Sequence, residues 1–210
     1  MTNANCPNCG APVRFQWSSA VQTTCEFCKS VLVRHDVNLE RVGQVGDLPP
    51  DPSPIQIGTE GIFGNKAFTV AGRIIYDHPT GSWNEWHLVF NDGASGWLSD
   101  AQLEYAISEK TEPPGPLPPE DKMPVGQMFQ WGGVIYQVAA RTTAHYRGVL
   151  GELPFEYWDK SDCTFIDLRS ATGAFATVDY SEDPPLLFTG RFVTFDELKL
   201  KNLREFEDWS

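Results

Sequence analysis

Apolar residues along this chain fall into short alternating or continuous runs, not at helical spacing. Phe68-Thr-Val-Ala-Gly-Arg-Ile-Ile-Tyr76 and Trp86-His-Leu-Val-Phe90 have strand character, Asn91-Asp-Gly93 reads as a turn, and Gly96-Trp-Leu98 resumes the strand pattern. Val134–Val138, Phe165–Leu168, Phe175–Val178 and Leu186–Phe188 repeat that style, and nearer the start Val13-Arg-Phe-Gln-Trp17 alternates while Val31-Leu-Val33 runs apolar. A helix is expected only at the C-terminal end, where Thr194 and Glu197 fit a capping box and Leu198, Leu203 and Phe206 mark an apolar face. Ser99–Gln102 predicts a single helical turn. With 18 Gly and 16 Pro among 210 residues, the pattern favours many short strands joined by turns.

Two Pro-rich stretches, Gly43–Pro54 and Glu112–Pro124, read as extended linkers. They divide the chain into a module at 1–42, a β module at 55–110 and a β module at 125–210 that carries the C-terminal helix. The last two modules look like copies. At an offset of 68, Ile57–Arg73 and Val125–Arg141 share Gly58/Gly126, Gly64/Gly132, Val70/Val138, Ala71/Ala139 and Arg73/Arg141, where chance gives about one identity. A second match, Gly93-Ala94 with Gly173-Ala174, lies at an offset of 80, so the second copy holds an insertion of twelve residues, expected in the polar stretch Thr142–Leu153. The architecture expected is a zinc ribbon followed by two related antiparallel β barrels or rolls of about five strands each.

The ribbon is expected from cysteine spacing. Cys6-Pro-Asn-Cys9 and Cys25-Glu-Phe-Cys28 stand fifteen residues apart, the pattern of a structural zinc site with one ion per chain. Two residues between paired cysteines form a tight turn that aims both thiolates at one ion. Redox or disulfide CxxC pairs are the competing reading, disfavoured by the presence of two pairs. Four thiolates fill a tetrahedron, so the metal is expected to be structural. Cys163 lies in an apolar run and reads as a buried thiol.

The net charge of −12 is uneven: residues 1–48 are neutral, and residues 49–118 and 119–210 each carry −6. Such a surface repels phosphate backbones and disfavours nucleic acid, while it suits a basic protein face, a polyamine or a divalent cation. No stretch approaches the roughly 18 apolar residues of a membrane span, and the start lacks the basic and apolar regions of a signal peptide, so a cytoplasmic location is expected. No Gly-rich phosphate loop, HExxH motif or Gly-x-Ser-x-Gly elbow is present, and the chain reads as a non-enzyme. Period-two alternation puts Trp86, Leu88 and Phe90 on one strand face and Glu85 and His87 on the other. Glu85 is expected to pair with Arg73, and Arg141, at the matching place in the second copy, with Glu156 or Asp167. His145, Tyr146 and Arg147 read as part of a solvated loop.

Phe68-Thr-Val-Ala-Gly-Arg73, Trp83-Asn-Glu-Trp-His-Leu88 and Gly96-Trp-Leu98, then Asp167-Leu-Arg169, Gly173–Tyr180 and Gly190–Leu198, together resemble a bacterial family known as domain of unknown function 4178, often preceded by a zinc ribbon. Members are encoded beside phage-shock-type membrane-coat proteins and polyamine aminopropyltransferase-like proteins, so the resemblance implies partners of those kinds. The expected function is a non-enzymatic adaptor in a membrane-stress assembly. Its partner-binding anchors would be Trp83, Trp97 and Trp131, at least one of them exposed. The alternative is a polyamine- or small-cation-binding accessory of a polyamine enzyme, favoured if acidic side chains converge in a pocket. A nucleic-acid-binding ribbon is the third reading.

Overall fold

The structure is a computed structural model and describes residues 3–35, 38–45, 48, 52–156 and 162–206. Residues 46, 47 and 49–51 of the first expected linker, and 157–161 and 207–210 of the last module, lie outside the described residues. The chain is mainly β. The ribbon holds β1 (Asn3–Asn5) and β2 (Pro12–Arg14) as one hairpin, and β3 (Gln22–Thr24), β4 (Ser30–His35) and β5 (Asn38–Gln44) as a small sheet. Its core is Cys6, Val13, Phe15, Ala20, Cys25 and Leu32.

Two five-stranded antiparallel meanders follow. The first comprises β6 (Glu60–Phe63), β7 (Lys66–His78), β8 (Gly81–Phe90), β9 (Ser95–Ala101) and β10 (Glu104–Thr111), and the second β11 (Met128–Trp131), β12 (Val134–Gly151), β13 (Asp162–Arg169), β14 (Ala174–Asp179) and β15 (Leu186–Val193). One face of each meander buries a core of its own. In the first, Phe68, Val70, Trp86, Leu88, Leu98 and Ile107 pack beneath Ile55 and the C-terminal Leu198. In the second, Tyr136, Val138, Ile166, Leu168 and Val178 pack beneath Met123. The stretch Glu112–Pro124 is therefore more than a linker: Leu117 and Met123 join that second core, and the Tyr180 hydroxyl donates to the Pro118 carbonyl at 2.7 Å.

The two meanders share backbone devices position by position. Gly58 N–H donates to Val70 O and Val70 N–H to Thr59 O, while 68 residues on Gly126 N–H donates to Val138 O and Val138 N–H to Gln127 O. Both second strands carry a bulge at the matching place, between Val70 and Gly72 and between Val138 and Ala140. Both first hairpins turn on a glycine of positive φ, Gly64 at 61° and Gly132 at 56°, a conformation costly for any residue with a Cβ. The identities Gly58/Gly126, Gly64/Gly132 and Ala71/Ala139 are thus positions where a turn or a bulge restricts the residue.

The meanders join edge to edge, β10 pairing β15 from Tyr105↔Val193 to Thr111↔Leu187 and β7 pairing β12 from Asp77↔His145 to Gly72↔Gly151. The sheet thereby closes into a ring in the order β7, β8, β9, β10, β15, β14, β13, β12, with β6 and β11 attached outside it. Closure buries the second face of each meander, because that face now turns toward the other copy.

Three local expectations change. Thr142–Gly151 is the far half of β12, its polar side chains alternating with Ala144 and Tyr146, which are buried. The Thr194–Glu197 capping box forms, with Thr194 N–H donating to Glu197 Oε2 at 2.7 Å, but it closes a single 3-10 turn, Asp196–Leu198. Lys199 then turns left-handed at φ 47°, and Lys201 runs alongside Glu60. Ser99–Ala101 belongs to β9 and is not helical.

The ribbon docks through residues that follow β12. Glu152 Oε1 and Oε2 accept the backbone N–H groups of Gln16 and Trp17 at 2.6 and 2.8 Å, and Leu153 exchanges backbone hydrogen bonds with Val21 and Gln22. Val31 and Val45 of the ribbon pack with Ile74, Tyr76 and Trp97 of the ring. These docking residues have no counterpart in the first meander, whose β7 passes into β8 after two residues.

Two outcomes are expected. A Cβ at Gly190 would strike the Ile107 carbonyl across the β10–β15 pairing, so Gly190→Ala should lower unfolding free energy by about 3 kcal/mol, and a urea midpoint unchanged from wild type would contradict the closure. Glu152→Ala removes two charge-assisted hydrogen bonds worth roughly 1.5–3 kcal/mol each. Amide exchange at Val21 and Gln22 should accelerate while exchange in β8 and β13 stays slow; equal protection in both proteins would show that Glu152 does not hold the ribbon.

Candidate functional site

Two places gather chemistry, and the first is the cysteine cluster. Each pair sits in the same turn: Gly10 N–H donates to Cys6 O and Cys6 N–H to Ala11 O, and likewise Lys29 N–H to Cys25 O and Cys25 N–H to Ser30 O. The turns bring the Sγ atoms of Cys6, Cys9, Cys25 and Cys28 all within 4.8 Å of one another, with Cys6–Cys28 at 3.6 Å and Cys9–Cys25 at 3.8 Å. Metal–sulfur bonds of about 2.3 Å at tetrahedral angles place sulfurs about 3.8 Å apart, so the four thiols fit one metal ion.

The second place is the space inside the ring. Side chains of alternate residues from the ring strands point into a cavity of about 630 Å³. Its walls are aromatic and acidic. Tyr76, Trp83 and Phe165 form one aromatic group, with ring centroids 5.0, 5.0 and 5.8 Å apart, and Phe155 stacks on Trp97 at 5.8 Å as a second. Glu85, Asp167 and Asp179 project from β8, β13 and β14. The basic side chains on the lining lie at its rim: Lys110 is exposed, and Arg169 pairs with Glu104 at 2.7 Å and lies over the Phe192 ring.

Enclosure by protein pushes the Glu85 carboxyl up to about 7, although Ser99 and the Trp83 indole N–H donate to it at 2.8 and 2.9 Å, and Asp167 and Asp179 add repulsion. Burial likewise raises Asp167 and Asp179. Beside Asp167 on the neighbouring strand, the buried Thr177 hydroxyl donates to its carboxyl and partly offsets the effect of burial. The acids are not repeated with the fold. At an offset of 80, Glu85 corresponds to Phe165, Asp167 to His87 and Asp179 to Ser99, so the backbone does not require a carboxylate at these positions.

The ribbon lies at one end of this space. His87 Nδ1 is 2.8 Å from the Glu152 carbonyl, and its ring lies 5.0 Å from Trp17 and 5.3 Å from Trp97. Burial holds the imidazole down at about 4, neutral at physiological pH.

The remaining expected site residues fall elsewhere. Arg73 and Glu85 lie on opposite faces of the sheet: Arg73 Nε donates to Asn84 Oδ1 at 2.9 Å and its guanidinium covers Trp86, whereas Glu85 faces the cavity. Arg141 pairs with Glu120, not with Glu156 or Asp167. Of the expected anchors, Trp97 is buried and Trp83 half-buried, both facing the cavity, and Trp131 is half-buried against Phe129 and Tyr136. None of the three stands out on the surface: closure turns the strand face of Trp83 and Trp97 inward, and Trp131 packs against the second meander's own core. Asp167, Asp179 and Thr177 went unnoticed as cavity groups, since only the closed ring brings them together.

No helix among the described residues is long and apolar enough to cross a membrane. Neither a curated protein nor a solved structure matches the chain. A family model does match, over residues 56–195, which take in both meanders and leave the cysteine ribbon outside. The paired meanders and the cavity between them are thus the matched region, and the chain belongs to the family described as domain of unknown function DUF4178.

Proposed function

We propose that this protein is a non-enzymatic binding protein that holds a small cationic ligand in the space between its two meanders, while its ribbon, folded around one zinc ion, closes one end. The observation that carries this reading is the lining of the cavity: three enclosed carboxyl groups face aromatic walls, with the basic groups confined to the rim. Aromatic faces attract ammonium groups, and carboxylates relieved of repulsion by a cation become ionised inside protein. The matched backbone devices further support descent of the two meanders from one duplicated unit.

A second reading, the adaptor, rests on the outer face of the β11–β12 hairpin, where Val125, Met128 and Ile135 are all more than half exposed. Partners would be of the kinds implied by the family resemblance, a membrane-coat stress protein or a polyamine aminopropyltransferase-like protein. Met128→Lys with Ile135→Lys should abolish capture of such a partner; undiminished capture removes this face from consideration.

Binding is tested by thermal shift at pH 8 with cationic, neutral and anionic compounds of matched size. Only cations should raise the melting temperature, and a response confined to neutral or anionic compounds would refute the reading. The pH dependence has a defined sign. Glu85 keeps its proton up to about 7 in the folded protein against 4.5 unfolded, so stability falls as pH rises through that interval. His87 works in the opposite sense, but only below 6.5. Without ligand, the melting temperature should therefore decline from pH 6.5 to 8, and a cation should recover it more at pH 8 than at 6.5. A rise over that window without ligand would contradict the carboxyl assignment. Elemental analysis should find one zinc per chain. Chelation should unfold the ribbon, whose small core depends on the cysteines, while β6–β15 persist; no change in ribbon amide exchange after metal removal would contradict this.

A further inference from the structure

We infer that the ligand of the inner cavity is an aliphatic cation carrying two or more primary or secondary ammonium groups separated by methylene spacers, a diamine or longer. This rests on the proposed cation-binding function and specifies which cation the walls accept. Among the described residues, the four cysteines are the one group of three or more His, Cys, Asp or Glu side chains gathered closely enough to surround a metal ion. Glu85, Asp167 and Asp179 line a common space without converging on a point, so a single bare ion cannot meet all three. Three separate carboxyl groups call for more than one positive charge. A volume of about 630 Å³ lies within the range of small-molecule sites, roughly 300–1,000 Å³, and exceeds the needs of a simple monoamine.

The walls between the acids decide the rest. Trp83, Tyr76 and Phe165 offer ring faces and edges on which methylene groups lie without losing hydrogen bonds, and the same rings attract ammonium charge. The buried Thr177 hydroxyl, which donates to Asp167, has lone pairs left to accept an N–H, and the carboxylates accept N–H as well. A quaternary ammonium has no N–H to give them, so the cavity selects protonated amines over choline-like cations. The acids come from both meanders, Glu85 from the first and Asp167 and Asp179 from the second, so the carboxyl groups are distributed around the cavity and can meet separated charges.

Other charged groups set the conditions. Among the described residues, those facing the cavity besides the three acids are His78 from β7, Glu104 and Lys110 from β10, Arg169 from β13 and Glu182 beyond β14. Arg169 is engaged by Glu104 and the others sit toward the rim, so the proton exchanged on binding comes from the inner carboxyls. Near neutral pH, entry of an ammonium group converts a carboxylic acid to a carboxylate and releases its proton to solvent.

The test is titration calorimetry of the full chain with 1,4-diaminobutane, spermidine, n-butylamine, choline and Mg²⁺, at pH 8 and, in buffers of different ionisation enthalpy, at pH 6.5. Diaminobutane or spermidine should bind at least tenfold tighter than n-butylamine and choline, with proton release at pH 6.5. Glu85→Gln and Asp167→Asn should each weaken diamine binding tenfold or more, and the rim change Lys110→Gln should not. Glu85→Gln keeps the hydrogen-bonding shape of the protonated carboxyl, and Asp167→Asn serves if that variant fails to fold. Equal binding of butylamine, choline or Mg²⁺ overturns the diamine assignment and leaves cation binding standing. Absence of binding by every cation overturns both. Tight diamine binding unaffected by both substitutions places the site elsewhere and overturns the assignment to this cavity.

Discussion

The pairing of β10 with β15 and of β7 with β12 is the constraint on which the rest of this structure depends. Each five-stranded meander has an apolar face that forms its own core, and alone it would leave the opposite face, with Trp83, Trp97, Phe165 and Phe188, against water. Edge-to-edge pairing satisfies strand edges that would otherwise present unpaired N–H and C=O groups, and in the same step encloses those second faces. Close backbone approach is part of this. Gly190 meets Ile107 across one pairing, and Gly72, in the other, lies against the backbone carbonyl of Glu152, whose carboxylate docks the ribbon. The cavity, its inward-facing carboxyls and the seat of the ribbon all follow from closure.

Much of this was legible in the sequence, and what was legible was local. The cysteine spacing located the four thiols because two intervening residues fix a turn regardless of context. The repeat was visible because Gly58, Gly64 and Ala71 and their counterparts sit at a turn entry, a positive-φ turn and a bulge, where the backbone restricts residue choice. Alternation placed Trp86 in a core. The same alternation failed for Arg73 and Glu85, since strands buried on both faces give no polar side from which to tell inward from outward. Thr142–Gly151 read as a loop because Arg141, Thr143, His145 and Arg147 are polar; they line the outer face of a strand whose other face is buried. The C-terminal capping box was real, yet a box fixes only where a helix starts. Docking of Lys201 on Glu60 ends this one after a turn.

Ring closure, by contrast, pairs residues some 70 to 90 positions apart. No local pattern encodes that, and the cavity was therefore invisible although each of its residues was in plain view. The repeat sharpens the point. Backbone-determining positions match between the copies, while interior positions diverge, Glu85 standing where the other copy has Phe165, and Asp167 and Asp179 where it has His87 and Ser99. That divergence separates what the fold needs from what the cavity does.

The account's central claim is that enclosure raises all three inner carboxyls, Glu85 up to about 7, and that a cation entering the cavity brings them down. Carbon-detected NMR titration of the Asp and Glu side-chain carboxyls measures this directly. Glu85 should titrate near 7 in the free protein, with Asp167 and Asp179 above the ordinary aspartate range, and a saturating diamine should move all three downward by at least one pH unit. Ordinary carboxylate titration in the free protein, or midpoints indifferent to added diamine, would contradict it.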